Sequence, residues 1–345
     1  MNHGTPDEPI AVTGCSGFLG SEICRQLLDR GDRVLGLSRR DVPALVQAGL
    51  QHEPGDLCDA EYVNAALSGV STVIHTAAVA GVWGPWKHFY LSNVVATRNV
   101  LAACQSHSID RLIFTSSPSV TFDGKHQRSV DERQPYPDRW LCHYPRTKAI
   151  AEREVIAADA RDGLRTLSLR PHLIWGEDDP HLLPRVLQRA RSGRLRVVGS
   201  GKNCVDTVHV VNAAAAHVDA IDAMRRDPNG CCGRSYFIAQ DEPVPCWDWI
   251  GQLCEIHGVP APRKAIPLPF AYAVGAILEA AYCVLRREDE PPMTRFVAAQ
   301  LGRDHYFDTS ASRERLGYRV RVTMEEGLRR LRACHENATE SPHSE

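Results

Sequence analysis

Nothing in this sequence is long and apolar enough to span a bilayer, no cysteines stand at zinc-binding intervals, no segment repeats, and neither sign of charge dominates. Each absence removes a class of function. A span takes roughly 20 apolar residues; the longest apolar run, Phe270 to Leu285, falls short and contains Glu279. A net charge of -2 gives no bulk electrostatic pull toward nucleic acid or an anionic membrane. The 12 cysteines are scattered, and Cys231 and Cys232, the one adjacent pair, match neither a metal nor a redox spacing. They are expected to be reduced and mostly in the core, with no metal bound. The opening MNHGTPDEPI lacks the basic-then-apolar pattern of a secretory signal, so the expected location is the cytoplasm. The polar residues 335–345 read as a flexible tail, and their Asn337-Ala338-Thr339 triplet as a glycosylation pattern in letters only. What remains is small-molecule chemistry.

What the chain does have is alternation. The short apolar runs IAVTG, RVLGLS, STVIHTA, RLIFTSS and LSLRP are separated by segments of helical periodicity. Strand, helix, strand in repetition predicts an α/β fold, a doubly wound parallel sheet with helices on both faces. After Pro171 the rhythm loosens, Pro-rich stretches appear, and VDTVHVVNAAAAHVDAIDA returns once to a strand followed by a helix. This predicts a smaller C-terminal lobe, woven from several segments, that covers one end of the sheet. Within the apolar run, Phe270, Val274, Ile277, Ala281 and Leu285 share one helical stripe and Glu279 faces away. A buried helix of the smaller lobe is the plain expectation; contact with a membrane surface or a partner protein is the alternative.

IAVTGCSGFLGSEICRQLLDRG reads as strand, turn and helix, with Gly14, Gly17 and Gly20 three residues apart and Gly31 placed to cap the helix. Glycines let backbone N–H groups approach a pyrophosphate at the positive end of the helix. At the end of the second strand, LSRRD offers Arg39 and Arg40 where an acidic residue would otherwise meet a ribose 2'-hydroxyl. A guanidinium fork suits a 2'-phosphate, so NADP is favoured and NAD stays possible. A solvated basic turn is the alternative for the two arginines, and Asp41 beside them weakens the preference.

HYPRTK places Tyr144 and Lys148 one helical turn apart, with Pro145 at a first-turn position that tolerates its missing N–H. A phenol titrates near 10, and a neighbouring ammonium is expected to lower that value toward useful acid-base chemistry. RLIFTSSPSV ends in hydroxyls at the carboxyl edge of a parallel sheet, where ligands bind in such folds. Its Ser116, Ser117 and Ser119 are candidates to bind a carbonyl oxygen, or simply to cap the turn. AGVWGPWKHFY supplies Trp83, Trp86, Phe89 and Tyr90 just after another strand, as an apolar wall for substrate or as loop packing.

Together the G-x-x-G-x-x-G turn, the serines and the Tyr-x-x-x-Lys pair resemble the short-chain dehydrogenase/reductase superfamily, and the length resembles its extended branch. That resemblance implies a Rossmann-type NADP-binding domain over residues 8–180, with a returning segment at about 204–240. Residues 181–203 and 241–334 would form the substrate lobe. It implies that the turn residues Ser16, Phe18 and Leu19 contact the cofactor with the three glycines. Asp56 and Leu57 would lie by the adenine, Ala77 and Ala78 along the dinucleotide, and Pro171 and His172 by the nicotinamide, although His172 reads equally well as a core histidine. Ser117, Tyr144 and Lys148 would be catalytic, with Trp83, Trp86 and Ser119 in the substrate pocket.

The wider pattern AGVWG, TSSPSV, HYPRTKA, LRPHLIWG, EPPMTRFVAAQL and LGYRVRV resembles bacterial members of the 3β-hydroxysteroid dehydrogenase/isomerase family. The resemblance implies NADPH-dependent reduction of a hydrophobic 2-alkyl-3-oxoalkanoate, a β-keto acid. A 3β-hydroxysteroid is the nearest rival substrate and a nucleotide sugar the next. A dehydratase is not expected, because Pro118 and Ser119 stand where that class carries an Asp-Glu pair. A homodimer, and pathway-enzyme or peripheral membrane contact through Phe270 to Leu285, are left open.

Overall fold

The computed structural model describes residues 9–240 and 242–340. Most of the opening segment read for a secretory signal therefore lies outside the described residues, as do positions 341–345 of the expected tail. Residues 335–340 are not tail: they continue the helix Met324–Glu340.

The first six strands are β1 (Ile10–Thr13), β2 (Val34–Ser38), β3 (Gln51–Pro54), β4 (Thr72–His75), β5 (Arg111–Thr115) and β6 (Gln127–Val130), and β7 is Arg165–Pro171. Six of these, with Ser235–Ile238, form a seven-stranded sheet in the order Ser235–Ile238, β7, β5, β4, β1, β2, β3. Every pairing in it is parallel. β1, β2 and β4 are buried along their whole length, which is why they read as unbroken apolar runs. β3, QHEP, had no such signature because it is an edge strand with one side open to solvent. The chain runs from β1 outward to β2 and β3, then returns to place β4 on the other side of β1. That reversal opens a crevice at the carboxyl ends of β1 and β4.

Two apolar cores cover the sheet. On one face Leu19, Ile23 and Leu27 of the helix Phe18–Asp29 pack with Ala213, Ala220 and Ile221 of the helix Val210–Arg226. On the other, Val63, Val100, Ala151 and Val155 pack against Leu35, Leu112 and Phe114. A third core, around Trp175, Trp247, Trp249 and Leu253, belongs to the smaller lobe.

The lobes interweave through a four-stranded sheet ordered Val244–Pro245, Cys204–Val205, His305–Phe307, β6. Thus β6, from the first half of the chain, and Cys204–Val205, from the returning segment, both sit in the sheet of the smaller lobe. All 12 cysteines are free thiols.

The expectation of a buried Phe270–Leu285 helix is overturned. The helix Leu268–Val284 buries Ala271, Gly275 and Glu279, while Phe270, Ile277, Val284 and Leu285 are exposed. Glu279 faces inward because it accepts hydrogen bonds from the backbone N–H (2.7 Å) and Nε (2.6 Å) of Arg295. The stripe is real, but it points to solvent.

Candidate active site

Gly14, Gly17 and Gly20 build the turn between β1 and the helix Phe18–Asp29. Gly14 has φ +72°, and a Cβ there would come within 2.9 Å of Ala77 Cα. A Cβ on Gly20 would meet the Gly14 carbonyl oxygen at 2.2 Å, so the helix can start this close to the strand only with glycine. Gly17 caps the helix with no side-chain hydrogen bond, and no acidic residue occupies the first turn. The first N–H groups beyond the cap are therefore left for an anion. Ser16, Phe18 and Leu19 lie on this turn. Arg40 reaches back over it, donating from Nη2 to the Ser16 carbonyl at 3.0 Å. Arg39 is exposed beside it.

Further along the crevice Asp56 accepts from the backbone N–H of Cys58, 2.9 Å, which fixes the turn after β3, and Leu57 is buried behind it. Ala77 donates its N–H to Thr13 Oγ1 at 3.3 Å, and Thr76 Oγ1 donates to the Thr13 carbonyl at 2.7 Å. These bonds tie the carboxyl ends of β1 and β4 together beneath Ala77 and Ala78. The crevice floor continues to His75, which bonds Thr13 (2.7 Å) and Thr97 (3.0 Å). Burial, with the nearby Lys148 charge, pushes its imidazole down to about 3, so it is neutral.

Tyr144 and Lys148 stand on the helix His143–Ala157. The Tyr144 phenol lies beside the Ser117 hydroxyl, which pairs with Ser119 at 2.9 Å. Ser119 and Ser116 are both buried. The expected downward shift of the phenol is not found. Burial, against the opposing pull of the Ser117 hydroxyl, pushes Tyr144 up to about 12. Lys148 is itself strongly desolvated: its Nζ lies 3.9 Å from the Phe114 ring centroid, and burial brings its ammonium down to about 7, with Glu152 opposing. So desolvated a lysine does not hold the resting phenol ionised. At pH 7 the phenol keeps its proton, which is the form a carbonyl reduction consumes.

Two supports of this pair, Asn93 and Glu152, went unread in the sequence. Asn93 lies in a π-helical turn, Leu91–Val95, and its side chain bonds Val79 N–H (2.8 Å), the Val79 carbonyl (3.0 Å) and Thr147 Oγ1 (3.0 Å). It locks the loop after β4 to the residue before Lys148. An amide inside the apolar LSNVV was the signal available. One turn beyond Lys148, buried Glu152 accepts from Arg170 Nη2 (2.6 Å), Tyr136 (2.6 Å) and Ser168 (2.8 Å). Burial raises its carboxyl, but the Arg170 guanidinium and the Tyr136 hydroxyl hold it below the usual range. Pro171 ends β7, and His172 Nε2 meets His305 Nδ1 at 2.6 Å, with His305 Nε2 donating to the Gln300 carbonyl. That chain makes His172 the donor to His305. Burial keeps both imidazoles uncharged, His172 well below its usual range and His305 at about 4.

The two tryptophans part company. Trp86 packs on His143 (5.4 Å between rings) and under the Arg146 guanidinium (4.6 Å), at the root of the Tyr144 helix. Trp83 instead reaches the smaller lobe, donating to the Arg287 carbonyl (3.1 Å) with its ring edge-on to Tyr282. The loop between β4 and Phe89 thus bridges the two lobes. Among the described residues no cluster of three or more His, Cys, Asp or Glu could hold a metal ion.

A model of the 3-beta hydroxysteroid dehydrogenase/isomerase family matches residues 11–270. The chain belongs to that family. It is 45% identical to a 2-alkyl-3-oxoalkanoate reductase of Stenotrophomonas maltophilia, over 94% of this chain and 98% of that one. It is 43% identical to a protein of the same name from Shewanella oneidensis, over 93% and 85%. A human sterol-4-alpha-carboxylate 3-dehydrogenase, decarboxylating, shares 33% over 92% and 86%. Among solved structures, the UDP-glucuronic acid 4-epimerase of Bacillus cereus in complex with NAD superposes with a TM-score of 0.73 at 20% identity, covering 96% of this chain and 99% of that one. At that identity the likeness is of fold alone. The family member described here is an oxidoreductase, as its relatives are named.

Proposed function

We propose that this enzyme reduces the 3-oxo group of a 2-alkyl-3-oxoalkanoate with NADPH. The observation that carries the reading is the near end-to-end likeness, 45% over 94% of the chain, to a reductase of that name. The more distant sterol relative agrees in chemistry. Both names put the reacting carbon next to the carbon that bears a carboxylate. A β-hydroxy acid and its β-oxo counterpart are thus the pair both would interconvert, and a 3β-hydroxysteroid is the second reading on the strength of the sterol relative.

The cofactor would lie along the glycine turn and the β1–β4 crevice and would supply the hydride. Its pyrophosphate suits the uncapped start of the helix Phe18–Asp29. Arg40, already folded over Ser16, and the exposed Arg39 are the groups for a 2'-phosphate. Tyr144 donates its proton to the keto oxygen as charge grows there, and Ser117 holds that oxygen by a second hydrogen bond. Lys148 stabilises the phenolate left behind. Buried Glu152 favours the charged form of Lys148. Half-buried Trp86 beside His143 would give the alkyl chains an apolar wall, with buried Phe89 packed behind it.

The test follows the absorbance of reduced cofactor with NADPH or NADH and three substrates: a 2-alkyl-3-oxoalkanoate, a 3-ketosteroid and a UDP-sugar. The reverse oxidation of the 2-alkyl-3-hydroxyalkanoate avoids the spontaneous loss of carbon dioxide from the β-oxo acid. The reading requires turnover of the first substrate that Tyr144→Phe abolishes while NADPH still binds. Turnover of the steroid alone moves the assignment to the second reading.

A further inference from the structure

The helix Leu268–Val284 is built with its polar side in and its apolar side out. Its one charged residue, Glu279, is buried against Arg295. Gly275 lies so close to the chain below that a Cβ would come within 2.6 Å of the Thr294 carbonyl carbon. The line Ala271, Gly275, Glu279 is therefore fixed as the inner face. The outer face presents Phe270 (59% exposed), Ile277 (68%), Val284 (82%) and Leu285 (66%), with no ionisable group among them. Large apolar side chains gathered on one helix face mark a contact surface.

What covers this face is indicated by its flanks. No acidic residue lies between positions 185 and 202, while Arg191, Arg194 and Lys202 are exposed there. That basic segment runs beside the helix at both ends. Its Val197–Val198 pairs with Ala265–Ile266, the strand entering the helix, and its Arg185 and Arg189 both bond Glu290 just past the helix end. Arg263 and Lys264 before the helix and Arg286 after it add exposed cations. Exposed Glu288, Asp289 and Glu290 follow the helix, but Asp289 is paired with Arg287 and Glu290 with Arg185 and Arg189, so the flanks of this one apolar face keep an excess of cations in a chain of net charge -2. Like charges on both copies would oppose a dimer through this face. An anionic lipid surface matches both features at once.

We propose that the helix Leu268–Val284 docks the enzyme on an anionic phospholipid surface, lying in the interface without crossing it. At 17 residues it is shorter than the roughly 20 a span needs, and no helix among the described residues is long and apolar enough to cross a membrane. Docking this way brings the loop of Trp83, bonded to the Arg287 carbonyl, to the lipid. This inference stands apart from the substrate assignment, because vesicle binding is measured without turnover.

The full chain is floated with vesicles of phosphatidylglycerol and phosphatidylcholine, with vesicles of phosphatidylcholine alone, and at low and high salt. The wild type should bind the anionic vesicles and release at high salt. Ile277→Glu/Val284→Glu should lose about tenfold or more of that affinity, with its NADPH-dependent activity unchanged. Should the glutamates unfold the chain, Ile277→Ser/Val284→Ser is read in the same way. Absence of wild-type binding, equal binding to neutral vesicles, or undiminished binding by the variant each overturns the proposal. So does a wild-type dimer in sedimentation that the variant converts to monomer while vesicles go unbound, which would assign the face to a second copy.

Discussion

The Lys148 Nζ lies 3.9 Å from the centroid of the Phe114 ring, at the end of β5, in a place water does not reach. Burial lowers its pKa from 10.5 to about 7. Because the folded value lies below the unfolded one, the unfolded chain holds the extra proton between those two pH values, and stability rises with pH across that window. Replacing the ammonium by a methyl thioether removes the penalty. Lys148→Met should therefore raise stability by about 2 kcal/mol at pH 6 and give little gain near pH 10. Denaturant midpoints at the two pH values check this, and a variant less stable at pH 6 contradicts it.

The same titration should show in catalysis. If the charged lysine is needed to stabilise the Tyr144 phenolate, kcat/KM for reduction falls as pH rises through about 7. The Tyr144 phenol, pushed up to about 12, contributes no break below pH 9. A pH profile of the wild type that stays flat from 6 to 9 rules out a role for the lysine charge in the free enzyme.

Glu152 raises the pKa of Lys148 and neutralises buried Arg170. Glu152→Gln leaves that guanidinium uncompensated and should cost about 3–5 kcal/mol. In whatever folds, the alkaline limb of kcat/KM should move to lower pH, a displacement that a purely structural role would not produce. Thermal unfolding and the pH profile of one preparation give both readouts.

Asn93 holds Val79 and Thr147 together without touching the reacting atoms. Asn93→Ala should cost about 1–3 kcal/mol, since it leaves two backbone groups unpaired, and should lower kcat more than it changes KM for NADPH. A rise in that KM with kcat intact would place its role at the cofactor instead.

Arg40→Ala should weaken NADPH binding by about tenfold and leave NADH nearly unaffected, measured as the ratio of the two KM values. An unchanged ratio returns Arg40 to a solvated turn held only by the Ser16 carbonyl.

Contiguous chemistry was legible in the sequence and long-range pairing was not. The glycine turn, the Tyr144–Lys148 interval and the apolar strands each declare themselves within a few residues, because local geometry limits which residues serve there. Arg170 with Glu152 and His172 with His305 are meetings across 18 and 133 positions, and nothing in either neighbourhood announces the partner. The outer helix shows the same limit differently. Periodicity says which residues share a face, but only the Arg295 side chain and backbone, sixteen positions from Glu279, decide which face turns inward. The tyrosine shift was misjudged for a third reason. Sequence spacing placed a cation nearby but carried no information on how far both groups leave water.

The bond between His172 and His305 has a mechanical consequence. It joins the end of a strand in the large sheet to one in the smaller lobe, and neither ring takes up a proton near neutrality. Swinging the lobes apart means parting two uncharged imidazoles with no water to replace the contact. The two sheets are therefore tied at this point by a buried bond whose loss would cost about 1–3 kcal/mol.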